Sequence, residues 1–194
     1  VRNGINAGPS GIYSDGPISS SVLSTNVASS SLIMSTTTTD ATRTVISGKY
    51  AYIADGSAGL RILDISDPYN TKFISSLGSL GTVWNVVVSG KYIYLTDSAG
   101  ILRIVDASNI SSPILIKSIT LSNLTDNLRL ADIFLSGRYL YAATGLAGLQ
   151  VLDVSNPNDP QIVGTASTSV GVLDGINSVY VSGNYAYVKH GTAG

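Results

Sequence analysis

The chain repeats itself four times, and no other feature constrains its fold as tightly. Aligned on a Ser-Gly pair, it reads VISGKYAYIADGSAGLRILDIS from Val45, VVSGKYIYLTDSAGILRIVDAS from Val87, FLSGRYLYAATGLAGLQVLDVS from Phe134 and YVSGNYAYVKHGTAG from Tyr180. From Ser47 to Ser89 is 42 residues, from Ser89 to Ser136 is 47, and from Ser136 to Ser182 is 46. A period of this length belongs to propeller blades or to arrays of paired helices.

The strand pattern decides between the two. Within each unit, hydrophobic residues alternate with small or polar ones, and Gly, Asn, Asp and Pro punctuate the runs as all-β repeats require. In the second unit the spacing predicts strands over Val83–Ser89, Lys91–Thr96, Ile101–Ala107 and Ile114–Leu121. Four short antiparallel strands per unit make the blade of a β-propeller. The chain has no Glu and one Met, which leaves few good helix formers beyond Ala and Leu. Val, Ile, Thr and Tyr, which suit a pleated half-buried surface, are abundant.

The segments GLRILDISDP from Gly59, ILRIVDASNISSP from Ile101 and GLQVLDVSNPNDP from Gly148 resemble the LVIVD repeat of β-propellers in bacterial and archaeal surface proteins. The resemblance runs from Val45 to Gly194. It implies an all-β fold of four-stranded antiparallel blades, about four in this chain or a fragment of a larger propeller. It also implies an extracellular or cell-surface setting, and it carries no catalytic residues to transfer. The expected organisation is a Ser/Thr-rich N-terminal segment over 1–41, then repeats over 42–82, 83–130 and 131–175, and a partial one over 176–194.

Charge and composition narrow the function classes. A net charge of −1 with 12% charged residues leaves no basic stripe for nucleic acid and no polybasic patch for membranes. Without cysteine there is no disulfide, thiolate metal site or Cys nucleophile. No apolar run reaches the roughly 20 residues of a membrane-spanning helix, so no membrane insertion is expected within this chain. The chain starts at Val1, and the expectation is that a leader was removed or that the sequence is a piece of something longer.

The last unit supplies two strands, over Asn177–Ser182 and Tyr185–His190, and stops where the others run on into Leu-Arg-Ile-Leu. Two candidate strands precede the first repeat, over Ile18–Thr25 and Ser31–Thr38. An open strand edge invites pairing, so residues 17–38 are expected to complete a blade. Three solutions stay open: closure within one chain, exchange with the next molecule, and truncation. In the third, Gly11 to Thr38 is a worn blade of a larger propeller. Ile12-Tyr13 before Asp15-Gly16 echoes Tyr52-Ile53 before Asp55-Gly56.

Candidate site residues divide into repeated and unrepeated ones. Tyr50 and Tyr52, Tyr92 and Tyr94, Tyr139 and Tyr141, and Tyr185 and Tyr187 put both rings of each pair on one sheet face. They could form an aromatic platform for sugars, but recurrence in every unit points to a packing layer between blades, since a ligand rarely needs the same ring in each. Asp64, Asp106 and Asp153 recur two residues before Ser66, Ser108 and Ser155. Such a trio could ring a channel around a hard cation, yet Asp and Ser at a strand end more often fix the following turn. Asp55 and Asp97 correspond to Thr144 and His190, which breaks any symmetric ligand ring.

Among the unrepeated residues, Trp84 stands where the other units are read to have Thr44, Asp132 and Ser178, and an unrepeated large aromatic is a candidate ligand contact. His190, the single histidine, is a second candidate contact. No nucleophile-elbow sequence accompanies it. Asn109-Ile-Ser and Asn123-Leu-Thr match the N-glycosylation pattern in expected turns. Insertions over Ser122–Leu130 and Ser167–Gly175 fall between blades, where binding loops tend to sit. The expectation is a non-catalytic extracellular propeller with no cofactor and no metal, a structural or interaction module that self-associates or binds another surface protein. Strand completion between chains would make it an oligomer or filament. The alternative is a carbohydrate-binding or carbohydrate-active propeller, with a glycan as ligand.

Overall fold

A computed structural model of the chain describes residues 5–8, 11–14, 38–121, 132–167 and 175–190. They form two units. In the first, β1 (Ile5–Gly8) and β2 (Gly11–Ser14) pair as an antiparallel hairpin with Ile5 opposite Ser14. The candidate strands over Ile18–Thr25 and Ser31–Thr38, both insertions and Asn123 lie outside the described residues, apart from Thr38, Ser167 and Gly175.

The second unit, residues 37–194, contains the repeats. Its first blade is β3 (Arg43–Ser47), β4 (Tyr50–Ala54), β5 (Leu60–Asp64) and β6 (Lys72–Leu77), hydrogen-bonded in chain order. The second is β7 (Val83–Ser89), β8 (Tyr92–Asp97), β9 (Ile101–Asp106) and β10 (Ile114–Thr120). The third is β11 (Asp132–Ser136), β12 (Tyr139–Ala143), β13 (Leu149–Asp153) and β14 (Gln161–Ala166). The fourth sheet has β15 (Ile176–Ser182) and β16 (Tyr185–His190) alone among the described residues. In the second unit of the repeat, each expected strand boundary agrees with the observed one to within a residue.

The repeated turns explain why each unit folds alike. The Ser-Gly pair makes the tight link between first and second strands, with Gly48, Gly90, Gly137 and Gly183 all at positive φ. The Ala-Gly pair closes the next hairpin, and at Gly148, φ 85°, an added Cβ would also run into the Ala166 carbonyl. Only glycine satisfies both conditions. A register shift recurs in the third-to-fourth strand pairing, at Ile62/Leu63, between Leu115 and Lys117, and at Val151/Leu152. Such bulges bend and twist the outer strand.

Blades stack face to face. Tyr52, Leu60 and Ile62 of the first pack with Val86, Ile93, Leu95 and Val105 of the second. Tyr94, Leu102 and Ile104 of the second pack with Ile133, Leu140 and Leu152 of the third. Leu149 and Tyr141 of the third meet Ile176, Val179 and Val181 of the fourth. Each fully buried aliphatic side chain in these layers contributes about 1.5–3 kcal/mol. The first strands are innermost, with β3 against β7, β7 against β11 and β11 against β15.

Candidate functional site

The four innermost strands converge on one carboxylate. Asp132 opens β11, and its Oδ1 accepts from Arg43 Nη1 at 3.0 Å and Asn85 Nδ2 at 3.2 Å. Its own neighbour, the Ile133 amide, also donates to Oδ1 at 3.0 Å. Oδ2 accepts from Ser178 Oγ at 2.9 Å and the Val179 amide at 3.1 Å. Arg43, Asn85, Asp132 and Ser178 each stand four residues before the Ser of a Ser-Gly pair. One column of the repeat therefore supplies a cation, an amide, an anion and a hydroxyl, which meet at the centre. A carboxylate offers about four lone-pair sites, and five donors occupy them. Asp132 is thus a clasp across the blades, with no acceptor left for a metal or a substrate proton.

This register corrects the sequence alignment. Asn85, not Trp84, is the equivalent of Asp132, and Arg43, not Thr44, is its counterpart in the first blade. Trp84 is the extra residue of a bulge between Val83 and Asn85, and Asn177 occupies the matching bulge in β15. A one-residue insertion shifts the spacing along the chain but leaves the hydrogen-bonded pairing in step. The Trp84 ring is half-buried, and its carbonyl accepts from Thr42 Oγ1 at 2.7 Å.

The repeated acids are held in turns. Asp64, Asp106 and Asp153 accept from the amides of Ser66, Ser108 and Ser155 at 2.9, 2.7 and 3.0 Å. Their second oxygens pair with Lys49 at 3.2 Å, Lys91 at 3.5 Å and Arg138. Each cation sits in the Ser-Gly turn of its own blade, over the first tyrosine of the pair. The hydrogen bonds from Ser66, aided by Lys49, hold the Asp64 carboxyl down at about 2. Ser108, with Lys91 behind it, lowers Asp106, and the Arg138 guanidinium, with Ser155 behind it, holds Asp153 well below the usual carboxylate range. Each acid is bound to its own blade, so the three form separate clasps rather than one ring.

A second charge pair crosses the hairpin in the first and second blades. Asp97, buried, takes Arg103 on Oδ2 at 2.7 Å and the Ala99 and Ile101 amides on Oδ1. Asp55, equally buried, takes Arg61 at 3.2 Å and the Thr39 and Asp40 amides. In the third blade both partners change, to Thr144, which donates to the Gly148 carbonyl, and Gln150. The fourth blade has His190 in the acid's column, and its side chain lies outside the described residues. Among the described residues no three or more His, Cys, Asp or Glu cluster as metal ligands.

The tyrosines grade from blade to blade. Tyr52 is 5% exposed and Tyr94 2%, each between two blades, and burial raises the pKa of both phenols. Tyr141 is half-buried against the fourth sheet. Tyr187 is 59% exposed, with Tyr185 and Tyr180 exposed around it and Tyr180 edge-on to Phe134.

The family model for the LVIVD repeat matches residues 39–77, 80–120, 130–168 and 176–193. A search of curated proteins found no match. Among solved structures, the computationally designed Ika4 protein superposes with a TM-score of 0.58 at 9% identity, over 79% of this chain and 88% of that one. The designed Ika8 protein gives 0.58 at 9% identity, over 77% of this chain and 42% of its own. The β-propeller domain of Myceliophteria thermophila Cps50 (Swd1) gives 0.55 at 16% identity, over 72% of this chain and 46% of that one. The chain thus spans most of the first and less than half of the other two. At such identities the likeness concerns the fold alone, a β-propeller.

Proposed function

The chain belongs to the LVIVD-repeat family, and from that premise we propose that it is a non-catalytic structural module of the cell exterior that assembles with copies of itself by strand completion. The observation that carries this reading is the fourth sheet. Its outer strand β16 has no further strand beside it among the described residues, and Tyr180, Tyr185, Tyr187 and Val188 stand exposed there. The equivalent Tyr52 and Tyr94 are buried between blades. An edge strand with an apolar flank is a template for another strand, and a head-to-tail contact that does not close propagates.

The acids support a structural role over catalysis. General acid–base chemistry needs a carboxyl free to reach a substrate proton, whereas Asp55, Asp64, Asp97, Asp106, Asp132 and Asp153 are engaged by cations and by backbone or hydroxyl donors. The exterior setting is supported by low charge and by Asn109, an exposed sequon residue whose Oδ1 accepts from the Ser111 amide in an open turn. Light scattering of the purified chain over a range of concentrations, with negative-stain images of the same sample, tests the proposal. Oligomers or filaments that grow with concentration are expected, and a compact monomer throughout would overturn assembly.

A further inference from the structure

We infer that Asn109 is an N-glycosylation acceptor, and that the turn between the third and fourth strands of the second blade presents it to an oligosaccharyltransferase. The inference rests on the exterior setting proposed above, where such a transferase meets exported chains. Asn109 stands three residues after Asp106, as Asp67 stands after Asp64 and Asn156 after Asp153. All three open the same turn. Their side-chain oxygens accept from the amide two residues on, Asp67 from Tyr69 at 2.9 Å, Asn109 from Ser111 at 3.2 Å and Asn156 from Asn158 at 3.3 Å. Their backbone carbonyls accept from Asn70, Ser112 and Asp159 at 3.1, 3.0 and 3.0 Å. Asp and Asn suit this place because their side chains reach their own backbone.

What differs is the residue that follows. Pro68 and Pro157 take the next position in the first and third blades, where a fixed φ favours the turn. The second blade has Ile110 there, and Ser111 after it. Of the three turns only this one reads Asn-x-Ser with x other than proline, the acceptor pattern. Asp67 has no amide nitrogen to modify, and Asn156 is followed by Pro157 and Asn158.

Ile110 secures the turn in another way. It packs against the core between the first two blades, and its carbonyl accepts from Ser75 Oγ at 2.6 Å. Ser111 carries no such load. It is exposed, its hydroxyl makes no hydrogen bond among the described residues, and Tyr69 at the same place is 76% exposed. Asn109 is exposed too, and its Nδ2 donates to no described residue. An anchored backbone thus holds an unengaged amide nitrogen and, two residues on, an unengaged hydroxyl at the surface.

In the reaction, Nδ2 bonds to C1 of the first sugar of a glycan carried on a polyprenyl diphosphate. The C1–O bond to the diphosphate breaks, the lipid diphosphate leaves with the bonding pair, and Nδ2 gives up one proton to a base of the transferase. A glycan there is bulky and solubilising, which suits an exposed turn.

Trypsin separates the two sequons, because Asn109 lies between Arg103 and Lys117 and Asn123 lies beyond Lys117. The full chain is recovered from the outer surface and from the interior of the cells that make it, and its tryptic peptides are read by mass spectrometry before and after enzymatic release of N-glycans. A glycan on the peptide that holds Asn109 is expected, with complete loss in Asn109→Gln, Ser111→Ala and Ile110→Pro chains made in the same cells. The last substitution copies the other two blades, so an unchanged circular dichroism spectrum shows that the loss is not one of folding. Pro157→Ile with Asn158→Ser writes the acceptor pattern into the third turn, and Asn156 should then gain a glycan. Surface chain that is bare at Asn109, or glycosylated at Asn123 alone, would overturn the inference and leave the exterior setting standing. Chain found only in the interior would remove both. An Asn156 that stays bare in the double variant while Asn109 is modified would overturn the part given to the turn.

Discussion

At the scale of single residues, the most telling position is one the repeat leaves variable. Arg43, Asn85, Asp132 and Ser178 occupy one column, and the sequence signal for them was a polar position four residues before each Ser-Gly pair that differs in every unit. Charge complementarity across the centre became visible only when the strands were brought together. Asp132→Ala should cost about 1.5–3 kcal/mol, since bonds to a charged acceptor are lost and their donors stranded. Arg43→Ala, at a side chain 41% exposed, should cost under about 1 kcal/mol. Urea midpoints of the two variants decide the order, and equal losses would contradict a carboxylate-centred clasp. Gly148→Ala combines positive φ with a blocked Cβ, so it should lower the midpoint more than Gly137→Ala, where nothing lies within 4 Å of the added carbon.

At the scale of elements, the clasps make stability depend on acid. The carboxyls of Asp64, Asp106 and Asp153 are lowered in the folded chain, whereas an unfolded Asp titrates near about 3.9. Between those values the unfolded state binds more protons, so stability is fully present above pH ~4 and is lost as pH falls toward the folded values, about 2 for Asp64. Urea midpoints measured from pH 5 to pH 2, roughly the span of those values, should fall for the wild type. They should fall less for the variant with Asp64→Asn, Asp106→Asn and Asp153→Asn together, and parallel slopes would exclude the clasps as the cause. The blade layers predict a second contrast. Tyr94→Ala should cost about 3–5 kcal/mol, as truncation of a buried aromatic does, whereas Tyr187→Ala in the monomer should stay within about 0.5 kcal/mol and still weaken assembly. Within the repeats, strand number and boundaries were legible because period-two alternation and Gly turns are local signals, whereas the short β1 and β2 before them were not expected. The bulges were not, because an extra residue such as Trp84 changes the pairing without breaking the alternation around it.

For the whole molecule, the prediction concerns the N-terminal segment. Deleting residues 17–38 should abolish concentration-dependent assembly, measured by light scattering, and leave β16 prone to disordered aggregation. A deletion variant that assembles as the full chain does would remove the segment from the account. The sequence by itself determined the all-β class, the repeating blade and the turn residues, because each depends on neighbours within about a dozen positions and is written afresh in every unit. It also marked Asp64, Asp106 and Asp153 as turn formers, since their partners lie two residues on. Only the tertiary structure decided what faces what. Arg43 and Asp132 are 89 residues apart in the chain, and the same Tyr-x-Tyr motif is core in two blades and exposed in the fourth. A side chain's burial depends on the neighbour that packs against it, and a repeat cannot record in its own residues whether that neighbour is there.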